Sequence, residues 1–155
     1  MIDASLPAVL RLLRVQALIA ARFGPPLGAV HGLALTEVLL LLQLSRAPLG
    51  RLRRVDLAAR LHTSQSTITR MCLPLEKGGF VRREADARDA RVGYVVLTDA
   101  GRQRTDEALA TLERLAREVF RDRWTGEEVQ TLAQLLGRIS SALPGDLDFP
   151  EEGHA

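Results

Sequence analysis

Apolar residues recur at helical spacing from Leu6 to Arg22, at Leu6, Val9, Leu10, Leu13, Ala17 and Ala20/Ala21, and Gly24-Pro25-Pro26 closes the pattern. The spacing predicts a first helix over this stretch. A second is predicted from about Thr36 to Ser45, with Thr36 as its N-cap and an unbroken apolar run, Val38 to Leu42, that implies burial on every side. Arg46 to Arg51, containing Pro48 and Gly50, reads as a turn. Val55 to Leu61 then predicts a short helix with Val55, Leu57, Ala58 and Leu61 inward. His62-Thr63-Ser64-Gln65 interrupts it. Thr63 or Ser64 can cap the next helix, which runs through Ser66, Ile68, Met71, Cys72 and Leu75 toward Lys77 and stops at Gly78-Gly79. Two short helices joined by a tight turn outline a helix-turn-helix.

The period then changes. Phe80 to Glu84 and Val92 to Leu97 are β-rich and flank the polar tract Asp86-Ala87-Arg88-Asp89-Ala90-Arg91, which predicts a hairpin with a charged tip. Beyond Asp99-Ala100-Gly101 the helical period returns, with Ala108, Leu112, Leu115 and Val119/Phe120 on one stripe. A last helix is predicted from about Thr125 to Leu143, opened by the capping-box pattern Thr125-Gly126-Glu127-Glu128 and closed by Pro144-Gly145. The acidic tail from Asp146 to Ala155 is expected to be frayed.

A chain of 155 residues is one domain's worth. Its single cysteine forms no intrachain disulfide, and its three histidines, His31, His62 and His154, lie too far apart for a zinc-ligand pattern. The stretch from Ala29 to Leu44 is interrupted by His31, Thr36, Glu37 and Gln43, short of the ~18 uninterrupted apolar residues of a membrane span. Asp3 precedes the N-terminal apolar residues and Arg11 and Arg14 fall among them, the wrong order for a signal peptide. The expectation is a soluble cytoplasmic protein with no cofactor, no metal and no membrane partner. No nucleophile, base or metal-ligand constellation has the spacing of an enzyme site.

The formal net charge of +2 is unevenly spread. Residues 1–50 carry 4 basic and 2 acidic side chains, residues 51–91 carry 10 and 5, and residues 92–155 carry 7 and 12. Positive charge is thus concentrated in the helix-turn-helix and hairpin. Of the 21 basic residues only Lys77 is a lysine, and the arginine fork suits phosphate and guanine edges, although an Arg-rich genome would give the same bias.

With Ile68, Met71/Cys72 and Leu75 inward, the open face of the recognition-type helix carries Gln65, Ser66, Thr69 and Arg70. Short polar groups and a Gln amide in the first turn fit a major groove, where Gln pairs with adenine and Arg with guanine; the alternative is a solvated helix face. At the hairpin tip, Arg88 lies between Asp86 and Asp89, whose carboxylates can hold its guanidinium and aim it outward, an arrangement suited to a narrow, electronegative minor groove. Arg91 is read as a structural ion-pair partner of Asp89 or Asp86. Arg82 and Arg83 lie on alternate strand faces, so at most one tracks phosphates. Arg51, Arg53 and Arg54 add phosphate contacts or form a solvated turn. Pro74 deletes a helical hydrogen bond to the Arg70 carbonyl and predicts a bend between Arg70 and Pro74.

Four stretches carry a family resemblance: His31-Gly32-Leu33 with Leu35-Thr36; Asp56-Leu57-Ala58 with Leu61; Ser64 to Arg70 followed by Leu75-Glu76-Lys77 and Gly79; and DARDARVGYVVLT from Asp86 to Thr98, closed by Gly101. The last meets the pattern D-x-R-D-x-R and V-x-L-T at Asp86, Arg88, Asp89, Arg91, Val95, Leu97 and Thr98. Residues 31 to 104 thereby resemble the MarR family of winged helix-turn-helix transcription regulators, and the flanking helices extend the likeness over nearly the whole chain.

The resemblance implies a mainly α fold. A single MarR-like domain would span 1–155, with a winged helix-turn-helix and two-stranded wing at 36–100, dimerisation helices at 4–23 and 102–143, and a flexible tail at 144–155. It implies a homodimeric, sequence-specific regulator of double-stranded DNA, a ligand-responsive repressor on a pseudo-palindromic operator. Ser64, Gln65, Ser66, Thr67, Thr69, Arg70, Arg53, Arg54 and Arg82 would contact DNA, Arg88 would enter the minor groove, and Asp86, Asp89 and Arg91 would support the wing. A cleft between the dimerisation helices and the winged region would take a small-molecule effector near His31, Arg14 and Gln16. Two alternatives are a protein-assembly module that does not touch DNA and an oxidant sensor acting through Cys72. Relatives with a single sensing thiol place it in the first helix, and the buried side of the recognition helix suits Cys72 as a small hydrophobe instead.

Overall fold

The computed structural model describes residues 3–89 and 92–140. The segment 141–155, with the expected end of the last helix, His154 and the acidic tail, lies outside the described residues, as do Ala90 and Arg91.

The first helix, α1, is Ser5–His31 and continues through Gly24-Pro25-Pro26 rather than ending there. Each proline removes one backbone donor, but Gly24 has no Cβ and Pro25 no N–H to crowd the ring that follows it, which relieves part of the steric bar to helix before proline. Phe23 and Leu27, on either side of the pair, are both buried and hold the segment against the core. Packing therefore outweighs local propensity. The helix stops at Gly32, whose φ of 67° lets its N–H return to the Gly28 carbonyl at 3.0 Å.

The second helix, α2, is Leu35–Arg46. Its N-cap is Ala34 rather than Thr36: Glu37 folds back so that its Oε2 accepts from the Ala34 N–H at 2.8 Å, half of a capping box. Val38, Leu40, Leu41, Leu42 and Leu44 are buried, but Leu39 is only half-buried, so the apolar run from Val38 to Leu42 is not covered on every side as expected. A 3-10 turn at Pro48–Gly50 leads into a strand the sequence reading did not anticipate, β1 at Arg51–Arg53.

Next come α3, Arg54–Arg60, and α4, Gln65–Lys77, joined by a turn in which His62 takes a φ of 50°. Val55 is half exposed at 50%, not inward; Leu57 and Ala58 fill the core from α3. Strands β2, Val81–Ala85, and β3, Gly93–Leu97, form the expected hairpin, and β1 adds to its other side to give a three-stranded antiparallel sheet in the order β1-β3-β2. Leu52 and Val95, register partners, face the core with Val81 and Leu97. Two helices then follow, α5 at Asp99–Phe120 and α6 at Gly126–Ser140.

Thr98 couples sheet to helix: its hydroxyl meets the Gly79 carbonyl at 2.6 Å and accepts from the Gly101 N–H at 3.0 Å, capping α5. Gly101 sits so close to the sheet that a Cβ there would lie 1.9 Å from the Phe80 carbonyl oxygen. At α6 the expected capping box is present, with Thr125 N–H donating to Glu128 at 2.8 Å and Glu128 N–H to the Thr125 hydroxyl at 3.2 Å. One core cluster, including Leu27, Leu40, Leu57, Ile68, Val95 and Ala108, joins α1 to α5 with the sheet. None of it comes from α6. The fold is mainly helical with a small winged sheet, as expected.

Candidate nucleic-acid interface

The N-terminus of α4 is built by Ser64. Its hydroxyl accepts from the Thr67 N–H at 3.2 Å and lies 2.9 Å from the Ser66 and 3.0 Å from the Thr67 hydroxyl. Ile68, Cys72 and Leu75 anchor the opposite face in the core, so the first turn is turned outward: Ser64, Gln65, Ser66 and Arg70 are exposed, and Thr67 and Thr69 half-buried. Thr69 donates to the Gln65 carbonyl at 3.0 Å and Arg70 to the Thr67 hydroxyl at 3.3 Å. The hydroxyls are thus largely occupied with one another. The Gln65 amide makes no hydrogen bond among the described residues and is the group most available to a base edge. Beyond this turn, α4 runs on through Pro74 to Lys77.

At the hairpin tip the carboxylates act differently from the expected clamp. Asp86 accepts the backbone N–H groups of Arg88 at 2.8 Å and of Asp89 at 3.3 Å, closing an Asx-type turn. The Arg88 N–H foremost, with that of Asp89 and the Tyr94 hydroxyl, holds the Asp86 carboxyl below its ordinary pKa. The Arg88 guanidinium itself makes no ion pair among the described residues and projects exposed from the tip. Asp86 orders the backbone beneath Arg88 rather than its side chain. The expected support from Arg91 lies outside the described residues.

The remaining arginines divide. Arg82 is exposed but bound to Glu84 at 2.7 Å, and Arg51 reaches the other oxygen of the same carboxylate at 2.9 Å. Arg83, on the alternate face as expected, donates to Glu76 of α4. The Arg53 Nε donates to the Tyr94 hydroxyl at 3.4 Å, which raises the Arg53 pKa further, and Arg54 lies over Gly93. Tyr94, Glu84 and Glu76, around which these arginines gather, were not singled out from the sequence. The strand that brings them together, Arg51–Arg53, is too short for its alternation to mark it in the sequence.

The expected effector residues separate. The His31 Nε2 lies 2.8 Å from the Thr111 hydroxyl of α5, and Arg104 donates to the His31 carbonyl at 3.4 Å, so this histidine joins two helices. Arg14 is exposed on α1. An apolar groove of about 680 Å³ does run beside them, lined by Gln16, Gly24, Gly28 and Gly32 of the α1 side and by Thr36 and Leu39 of α2. Neither His31 nor Arg14 lines it. Cys72 is 1% exposed, and burial, with the Glu76 carboxylate adding, pushes its thiol up to about 11.

Helix-turn-helix, outward first turn and arginine-tipped hairpin together define a winged-helix surface of the kind that reads duplex DNA. Residues 33–92 match the MarR family. A transcriptional regulator from Sulfolobus solfataricus, BldR, is 31% identical in sequence, with a TM-score of 0.70 over 86% of this chain and 98% of its own. Sco3205, a MarR family transcriptional regulator from Streptomyces coelicolor solved in complex with DNA, is 26% identical, with a TM-score of 0.76 over 93% of this chain and 98% of its own. YdgJ of Bacillus subtilis, described as an uncharacterized HTH-type transcriptional regulator, is 31% identical over 84 residues, 54% of this chain. That match spans 51% of YdgJ, about half the length of the curated relative. The chain belongs to the MarR family.

Proposed function

We propose that this protein is a sequence-specific, double-stranded-DNA-binding transcription regulator that acts as a homodimer on a pseudo-palindromic operator and represses until a small molecule releases it. The observation that carries this reading is the pairing of the Ser64-capped, outward-facing first turn of α4 with the exposed Arg88 at the hairpin tip, one suited to a major groove and the other to a minor groove. The DNA complex of Sco3205 supports it by likeness. Gln65, Ser66 and Arg70 are assigned to base or backbone contacts at the helix, with Ser64, Thr67 and Thr69 shaping that turn. Arg53, Arg54 and Arg82 track phosphates beside the wing.

The homodimer is supported by what the single chain leaves uncovered. On α1, Leu6, Val9, Leu10, Leu13 and Leu18 are exposed, as are Leu135, Leu136 and Ile139 on α6. Apolar stripes at both ends of one chain, with no core of their own, call for a second copy. The α1–α2 groove offers apolar space for an effector. No single described helix is long and apolar enough to cross a membrane, and we read the protein as cytoplasmic and as acting by binding rather than catalysis.

Electrophoretic mobility shift with the DNA upstream of the protein's own gene tests the reading, beside sedimentation at micromolar concentration. A saturable, salt-sensitive shift that outlasts excess unrelated duplex, from a species of about twice 17.0 kDa, is the expected result. Equal affinity for all duplexes, or a monomer at every concentration, overturns the corresponding part and favours a protein-assembly role. An oxidant-sensing role is disfavoured by the burial of Cys72.

A further inference from the structure

The outer face of the winged sheet gathers charge in two adjacent rows. Arg51 of β1 and Arg82 of β2 both have Val96 of β3 as register partner, and Arg53 and Glu84 both have Tyr94. Residues two apart along a strand share a face, as do residues directly opposed across it. Arg51, Arg53, Arg82 and Glu84 therefore stand together on the side away from buried Leu52 and Val95. On this face three guanidinium groups surround one carboxylate.

Glu84 takes two of them. Arg82 donates to one carboxylate oxygen at 2.7 Å and Arg51 to the other at 2.9 Å, while Arg53 bonds the Tyr94 hydroxyl at 3.4 Å. Arg51 stands two strands from Glu84, about 10 Å at ordinary strand spacing, so its side chain has to lie across β3 to reach. Its guanidinium accordingly sits 4.6 Å from the centre of the Tyr94 ring. The hydrogen bond from Arg82 foremost, with Arg51 adding, holds the Glu84 carboxyl below its ordinary pKa, so it stays charged through the neutral range. Each arginine gives one N–H to Glu84 and keeps the rest, but offers them from a fixed place.

The same hairpin ends in Arg88, so cations on this face lie close to any duplex the wing meets. Phosphates carry no sequence information, and an arginine free to swing toward them tightens binding to every duplex. We propose that Glu84 is a specificity-determining residue, whose carboxylate holds Arg51 and Arg82 down on the wing sheet and so limits attraction to DNA that ignores sequence. The proposal rests on the reading of the wing as a DNA contact. What Glu84 suppresses is the sequence-independent binding against which a specific site competes.

Glu84→Gln removes the charge that holds both arginines and keeps the size of the side chain. Glu113→Gln, an exposed position on α5, makes the same change of net charge away from the wing. The test measures affinity at several salt concentrations for a duplex that the wild-type protein selects from a random-sequence library and for an unrelated duplex of equal length. It also follows the guanidinium resonances of Arg51 and Arg82 in the free protein. In Glu84→Gln, affinity for the unrelated duplex should rise about three- to tenfold, with a salt slope steeper by about 1 per subunit. The selected duplex should gain less, so that the ratio of specific to non-specific affinity falls. Both guanidinium groups should rotate more freely than in the wild type, and Glu113→Gln should leave all of these values in place. Equal gains on both duplexes, or the same gain in Glu113→Gln, overturn the proposal and reduce Glu84 to its share of the net charge. Guanidinium rotation unchanged by Glu84→Gln overturns it too. A wild-type protein that enriches no duplex removes the sequence-specific reading and the proposal with it, and the guanidinium signals then report separately whether Glu84 holds the pair.

Discussion

Glu76, in the last turn of the recognition-type helix α4, accepts the Nε–H of Arg83 from strand β2. This one contact ties the element suited to the major groove to the hairpin suited to the minor groove. The pair is partly exposed, with Glu76 the more buried partner, so its net worth to stability is small, about 0–1 kcal/mol. Its value lies in geometry: helix and wing must meet one duplex at a fixed separation. Arg83→Ala is expected to melt within a few degrees of the wild type yet lose affinity for specific DNA. Circular dichroism melts and fluorescence anisotropy on the same samples check this, and intact affinity would show that helix and wing are aligned without the contact.

Arg88→Ala should weaken binding to all duplexes and leave the fold unchanged, because the guanidinium makes no ion pair among the described residues. One lost cationic contact per subunit lowers the salt dependence of log K by a slope of about 1 per contact. Titrations at several salt concentrations measure it. A well-folded variant with wild-type affinity and slope removes Arg88 from the interface.

Gln65→Ala should instead act on sequence choice. Its amide is exposed on the first turn of α4, and a bidentate pair with a base is worth roughly 1 to 3 kcal/mol of discrimination. The ratio of specific to non-specific affinity should fall while non-specific binding holds. Equal losses on both kinds of duplex would assign Gln65 to backbone positioning.

Much of this was legible in the chain because the winged region obeys local rules. The Ser64 cap, the Gly78-Gly79 stop, the Thr125/Glu128 capping box and the burial of Val38 and Leu40 to Leu42 each follow from side-chain chemistry within a few residues. The departures come where tertiary contact decides. Pro25-Pro26 reads as a stop, and the burial of Phe23 and Leu27, which local pattern does not give, is what carries α1 past it. Three residues, Arg51–Arg53, are too few for a period to register, and they become a strand because β3 offers an open edge. In the site, Arg88 and Gln65 could be named from sequence. Asp86 could be named too, since it closes its turn through N–H groups two and three residues on, whereas the parts played by Tyr94 and Glu76 depend on which element lies beside which, and spacing carries no such information.

Among the described glycines, Gly101 is the one where an added methyl should be most damaging, in Gly101→Ala. The new Cβ would fall 1.9 Å from the Phe80 carbonyl oxygen and 2.8 Å from a Leu97 methyl carbon, and neither the backbone of the sheet nor a buried leucine can yield cheaply. The loss should be about 2 kcal/mol or more, read from denaturant melts, with the start of α5 pushed away from the wing. A wild-type midpoint would mean that α5 shifts freely on the sheet.

Cys72 gives a pH dependence whose sign follows from its burial. The thiol is raised from its ordinary value of 9.0 to about 11, first by desolvation and then by the Glu76 carboxylate, with Arg83 and Arg54 opposing. Across the neutral range the thiol is protonated in both folded and unfolded chains, so it contributes no pH dependence there. Above pH 9 the unfolded chain releases this proton first, so stability falls as pH rises from about 9 to about 11. Cys72→Ser should remove that alkaline loss, since a hydroxyl does not titrate there. It should also lower stability at pH 7 by about 1–3 kcal/mol through the buried hydroxyl. Native-state alkylation should be slow at pH 7 and limited by opening of the fold, and peroxide should not release the protein from DNA. Rapid alkylation of the native protein, with peroxide-induced release that disappears in Cys72→Ser, would show that this thiol is reached and ionised without unfolding.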